Sequence, residues 1–313
     1  MIVRKAAIGS AQPDTRRRRH LMNRSKRMEL ARQTVEIVDR GSYESDTGRR
    51  VDMSESVRSC LNGTRHILPE GLAELREAMM ARKSHGNDTK FEVVNETTLA
   101  GIARLLSAGK EPVAVLNFAS AKNPGGGFLN GSQAQEESLA RSSALHASLL
   151  RAPEFYERHR AMSSLLYSDA MIWSPGCPIF RDDEGNLLDE PQLASFITSP
   201  APNAGAAANN RPDEVSLIPE VLRRRSEFVL ALAASQGYKR LVLGAWGCGV
   251  FRNDPAVVAA AFLGHLRHGP WSDRFERVVF SVLDASSSRE TLAAFQRAVG
   301  DAVQPAAPAD PAE

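Results

Sequence analysis

From about residue 90 onward the chain alternates short apolar runs with longer amphipathic ones, and this alternation decides the fold. FEVVN at 91–95, VAVLNFA at 113–119, and the runs at 170–174, 195–198, 241–245 and 277–283 are rich in Val, Ile, Leu and Phe. Runs of this length and composition are strands buried on both faces. Between them, 97–108, 135–150, 216–236, 254–267 and 288–299 carry helical spacing. Strands separated by helices build a sheet with helices packed on both sides. Ahead of this region the signals are helical, with Met28, Leu30, Val35, Ile37 and Val38 in one stretch and Leu72, Leu75, Met79 and Met80 in another. The predicted architecture is a helical N-terminal accessory segment at 25–88, then a three-layer α/β/α domain at 89–302.

Of the 313 residues 42% are hydrophobic, enough for a sizeable core. Charge is unevenly spread. The first 27 residues hold nine Lys or Arg and one Asp, whereas the rest holds 30 basic and 36 acidic residues. A mildly acidic body argues against a broad nucleic-acid-binding face. Residues 1–24, with Arg16 to Arg19 in one run, read as a basic disordered tail, and 303–313 as a disordered Pro/Ala tail. No apolar run is long enough to span a membrane, and the first residues are too polar for a signal-peptide core. Cys60, Cys177 and Cys248 stand apart, with no CxxC pair and no nearby histidines, which speaks against a zinc site or a disulfide framework. The expectation is a cytoplasmic protein without a metal or cofactor.

Two strand–loop–helix segments carry the chemistry. In LNFASAKNPGGGFLNGSQAQEESL (116–139) a buried strand ends at Asn117 and Phe118. An Asn-Pro turn at Asn123 leads to Gly125, Gly126 and Gly127, and seven residues later Gln135, Glu136 and Glu137 open a helix. Three consecutive glycines cost conformational entropy and add nothing to packing, so they mark a close backbone approach or positive φ. A structural alternative exists for the helix start: Ser132 and Gln135 have the spacing of a capping box, and acids in a first turn suit the helix dipole. In LVLGAWGCGVFRNDP (241–255) the turn holds Gly244, Gly247 and Gly249, then Val250 and Phe251. Asp254 and Pro255 there mark a helix start. Such loops present N–H groups to phosphate. The spacing is neither GxGxxG nor a Walker A loop, which disfavours an ordinary NTPase or dinucleotide dehydrogenase.

GGG, seven residues, then QEE resembles the signature of the poly(ADP-ribose) glycohydrolases, in the bacterial type. TVEIVDRGSY (34–43), FEVVNETTL (91–99), NFASAKNPGGG (117–127), ITSPAPN (197–203) and GAWGCGVFRNDP (244–255) extend the likeness over roughly 25–300. The resemblance implies a macrodomain with a central mixed sheet and hydrolysis of ribose–ribose O-glycosidic bonds. It implies Glu137 as the catalytic acid and Glu136 as the residue holding hydroxyls of the released ribose. Asn117 and Asn123 would lie at that ribose, with the triglycine and Gln135 alongside. Gly247, Gly249 and Val250 would cover the diphosphate, and Phe251 would pack on the departing ADP-ribose. Partners would be poly(ADP-ribose), ADP-ribosylated proteins and, as product, ADP-ribose. Cleavage would run mainly from chain ends, closed off by the segment before His85 or the loop after Thr198. The alternatives are a mono-ADP-ribosyl hydrolase and a non-catalytic ADP-ribose-binding macrodomain; a pure binder needs the phosphate loop but not both carboxylates.

Overall fold

The computed structural model describes residues 22–82, 86 and 88–300, so the two tails fall outside it except for residues 22–24. Seven strands form one mixed sheet. They are β3 (Arg65–Ile67), β4 (Lys90–Val94), β5 (Val113–Phe118), β6 (Met171–Arg181), β7 (Leu187–Ser199), β8 (Arg240–Gly244) and β9 (Arg277–Ser281), in the order β3-β6-β7-β5-β8-β9-β4. The pairs from β7 through β5, β8 and β9 to β4 are parallel, and β3–β6 and β6–β7 are antiparallel. A separate two-stranded ribbon joins β1 (Ser42–Glu44) to β2 (Arg50–Asp52).

Alternating residues of each strand feed two cores. Ala114 and Leu116, Leu241 and Leu243, Val278 and Phe280 face one side. They meet α3 (Pro69–Met80), α9 (Ile218–Ser235), α10 (Pro255–Arg267) and α11 (Glu290–Gly300). Val113 and Val115, Val242 and Val279 face the other side. There they meet α1 (Arg24–Arg40), α2 (Ser54–Gly63), α4 (Thr98–Ser107), α5 (Gln135–Ser142), α6 (Leu145–Leu149) and α7 (Pro153–Ala161). The expected three layers are present.

Several elements differ from the sequence reading. The stretch before residue 89 holds three short strands besides its helices, and β3 joins the main sheet. Three-residue strands are too short to leave a period. The helix expected over 135–150 breaks in two at Ser143, whose backbone is extended. Its hydroxyl donates to Leu139 O and accepts from Leu145 N, closing one helix and opening the next. Strands β6 and β7 are far longer than the runs at 170–174 and 195–198. Pro175, Gly176 and Pro178 disguise β6, and its pairing slips between Ser174 and Cys177 where a bulge takes up the irregularity. Helices α7 and α8 (Ala204–Asn210) were not foreseen.

Candidate active site

The carboxyl ends of β5, β7 and β8 lie side by side, with Asn117 opposite Thr198 and Phe118 opposite Ser199. In parallel sheets this edge is where loops gather around ligands. A cleft of about 890 Å³ opens there. Its lining includes Asn123, Gly126, Gly127, Gln135, Glu136, Glu137 and the whole run from Gly247 to Phe251. The two glycine loops, more than 100 residues apart in sequence, thus face one cavity.

Glu136 is buried on the first turn of α5. Its carboxyl accepts from Ser120 N at 2.7 Å and from Asn117 Nδ2 at 3.1 Å. Burial pushes its pKa up to about 8, further than these two donors pull it down, and the neighbouring Glu137 adds to the rise. Asn117 is fully buried beneath Glu136 and donates to Thr198 Oγ1 as well, so it holds the carboxyl from below. Among the described residues its Oδ1 has no hydrogen-bond partner. Glu137 is half-buried, and its Oε1 accepts from Gly127 N at 3.0 Å.

That bond explains part of the triglycine. Gly126 has φ of +59°, and a Cβ there would stand 2.5 Å from Glu137 Oε1, so a side chain would displace the carboxyl. Beside Gly125, the His146 ring packs tilted against Phe128 with centroids 4.5 Å apart, and burial pushes its pKa down to about 4, leaving a neutral ring as packing.

Gln135 does not belong to a capping box. The N-cap is Ala134 with no side-chain bond, and the Gln135 amide ties α5 to β5: it accepts from Phe118 N and donates to Leu116 O and Thr98 Oγ1. Ser132 lies too early for the cap because the chain is still turning out of a 3-10 segment at Phe128–Asn130.

In the second loop Asp254 caps α10 as expected, accepting from Ala256 N. Gly247 has φ of +72°, and a Cβ there would fall 2.5 Å from both Ala201 and the Asn253 amide. Asn253, buried, staples the loop by donating to Pro202 O and Gly247 O. Gly249 is different: its φ is not positive and a Cβ would meet nothing within 4 Å. Its backbone does not require glycine, so any need for one comes from outside the protein.

Sequence reasoning missed the far wall. Met22 and Leu30 beside and on α1 line the cleft, as do Asp182, Asp183 and Gly185 at the β6–β7 hairpin tip and Glu96 and Thr97 after β4. Arg24 and Arg27 anchor α1 by donating to Asn130 O and Gly131 O. Of the two segments expected to close the cleft, α1 reaches it through Leu30, whereas Ala201 and Pro202 after Thr198 pack against Gly247 and Asn253 and do not line it. FEVVNETTL carried a signal for Glu96 and Thr97; the hairpin tip carried none.

A three-layer mixed sheet with paired carboxylates and a glycine loop at its carboxyl edge is the arrangement of a macrodomain-like fold. The model of the microbial-type poly(ADP-ribose) glycohydrolase catalytic domain matches residues 31–182. The structure of poly(ADP-ribose) glycohydrolase from Thermomonospora curvata is 50% identical, covering 88% of this chain and 99% of that one, with a TM-score of 0.84. The same enzyme bound to the inhibitor ADP-HPD is 50% identical over 87% and 99%, at 0.81. That from Deinococcus radiodurans in complex with ADP-ribose is 46% identical over 80% and 100%, at 0.75. No curated protein sequence matches. The chain belongs to the bacterial-type poly(ADP-ribose) glycohydrolase family. Among the described residues, no helix is long and apolar enough to cross a membrane.

Proposed function

We propose that this cleft hydrolyses the ribose–ribose O-glycosidic bonds of poly(ADP-ribose) and releases ADP-ribose, with Glu137 as general acid. The observation that carries the reading is the meeting of Glu136 and Glu137 with the 247–251 loop in one cavity. Glu137 protonates the leaving ribose oxygen as the C–O bond breaks and its electron pair departs to that oxygen. Water then adds to the oxocarbenium-like carbon and gives a proton to the Glu137 carboxylate. Glu136, held by Ser120 and Asn117, fixes hydroxyls of the ribose being released, with Asn123 beside it. Carrying a proton below pH 8, it both donates and accepts there. The run from Gly247 to Val250 holds the diphosphate through its backbone, and Phe251 packs on the departing ADP-ribose. We assign 89–302 as the catalytic unit and 25–88 as an accessory segment whose α1 closes the terminal-ribose end, so that chain ends are cleaved. Its cellular substrates are ADP-ribosylated proteins in the cytoplasm.

Incubation with poly(ADP-ribose) tests this by product size. ADP-ribose monomers are expected from the earliest time points, with the protein-linked unit left in place. Unchanged polymer overturns the activity, and early medium-length oligomers overturn chain-end cleavage. Complete release of the protein-linked unit supports the mono-ADP-ribosyl hydrolase alternative.

Gly249→Val tests the diphosphate contact, because a Cβ at this position meets no atom of the described residues within 4 Å. Loss of one N–H bond to a charged phosphate corresponds to about a ten- to hundredfold weaker affinity for ADP-ribose, with thermal stability unchanged. Equal calorimetric affinity for both proteins means that the diphosphate sits elsewhere.

A further inference from the structure

The chain supports Phe251 from behind with a residue outside the cleft lining. Tyr167, in the loop between α7 and β6, has φ of +59°, a left-handed conformation that a side chain with a Cβ rarely adopts. Its ring lies 6.2 Å from that of Phe251, tilted by 41°, and meets His159 edge-on at 5.9 Å. Both distances fall within the range of interacting aromatic pairs.

Arg225 of α9 holds this backbone in place. Its side chain is wholly buried. It donates through Nε to Asp169 Oδ1 at 2.8 Å, through Nη1 to Pro200 O at 2.7 Å, and through Nη2 to Leu166 O at 2.9 Å and Tyr167 O at 3.2 Å. The last two carbonyls belong to the peptide planes on either side of Tyr167. One guanidinium therefore fixes both dihedral angles of the strained residue. It also fixes Pro200, whose neighbour Ala201 abuts Gly247. Backbone strain of this kind persists where surrounding bonds over-determine it. The Phe251 backbone is anchored separately, its carbonyl accepting from Gly205 N at 2.9 Å. The angle of its ring is left to what it packs against.

We propose that Tyr167, pinned by Arg225, is a positioning residue that sets the orientation in which Phe251 meets the departing ADP-ribose. This rests on the reading of Phe251 given above. Three variants test it: Tyr167→Phe keeps the ring, Tyr167→Asn keeps a residue tolerant of left-handed backbone but removes the ring, and Phe251→Ala removes the receiving surface. Tyr167→Asn should bind ADP-ribose between about twofold and tenfold more weakly, the worth of one aromatic pair. KM for the polymer should rise while kcat stays within about twofold, since the acid is untouched. Tyr167→Phe should restore wild-type affinity, and in the Phe251→Ala background Tyr167→Asn should add nothing. Unchanged affinity in Tyr167→Asn, or an undiminished loss in the double variant, overturns the proposal while leaving Phe251's role standing. Wild-type affinity in Phe251→Ala removes the reading of Phe251, and the proposal with it.

Discussion

Glu137→Gln is expected to bind ADP-ribose with wild-type affinity and to cleave poly(ADP-ribose) roughly a thousandfold more slowly, inside the 10²–10⁴ span typical of a lost acid–base group. The amide fills the same space, and its oxygen still accepts from Gly127 N, so the glycine loop keeps its shape. What disappears is the transferable proton that the proposed mechanism requires. A ribose alkoxide is a poor leaving group, which is why the loss falls on kcat and not on binding. The check is a single-turnover assay alongside calorimetry with ADP-ribose. Turnover within tenfold of wild type would remove Glu137 from the acid role and direct attention to Glu136, which already carries a proton at neutral pH.

The parts of this fold that sequence reveals are those whose physics is local. The strands β5, β8 and β9 are buried on both faces and announce themselves as continuous apolar runs, whereas β4 at the sheet edge is only partly buried; Asp254–Pro255 marks a helix start within two residues. The long β6–β7 hairpin hides because Pro175 and Pro178 look like breakers and because its outer half carries exposed residues such as Glu190. The glycine loops and the two glutamates were legible for the same local reason, since each is a dense cluster of costly residues. Their supports were not. Ser120 holds Glu136 across 16 residues, Thr198 holds Asn117 across 81, and Arg27 ties α1 to Gly131 across 104. Hydrogen bonds between distant segments leave no spacing to read. The same limit applies to burial: the sequence presents Glu136 and Glu137 as equals, and only the packing of α5 against β5 makes one a buried acid and leaves the other half-buried, both lining the cleft.

That inequality predicts how stability responds to pH. An ordinary glutamate titrates near 4.5 in the unfolded chain, whereas Glu136 in the folded protein titrates near 8, because its charged form is deprived of water. The folded state therefore holds this proton more tightly than the unfolded state does. Its stabilising contribution is complete below about pH 4.5 and is lost progressively as pH rises through 8. Glu136→Gln cannot titrate and shares every other ionisable group with the wild type, so comparing the two cancels the rest. The melting temperature of the wild type minus that of Glu136→Gln should fall steadily from pH 5 to about 8.5 and then level off. A difference on the order of a few kcal/mol corresponds to roughly 5–10 °C in a chain of this size. The amide also places a donor where Ser120 N–H and Asn117 Nδ2 both expect acceptors, which lowers the variant's stability by a pH-independent amount and leaves the slope intact. A temperature difference that stays constant from pH 5 to 9 without ligand would show that Glu136 is ionised throughout.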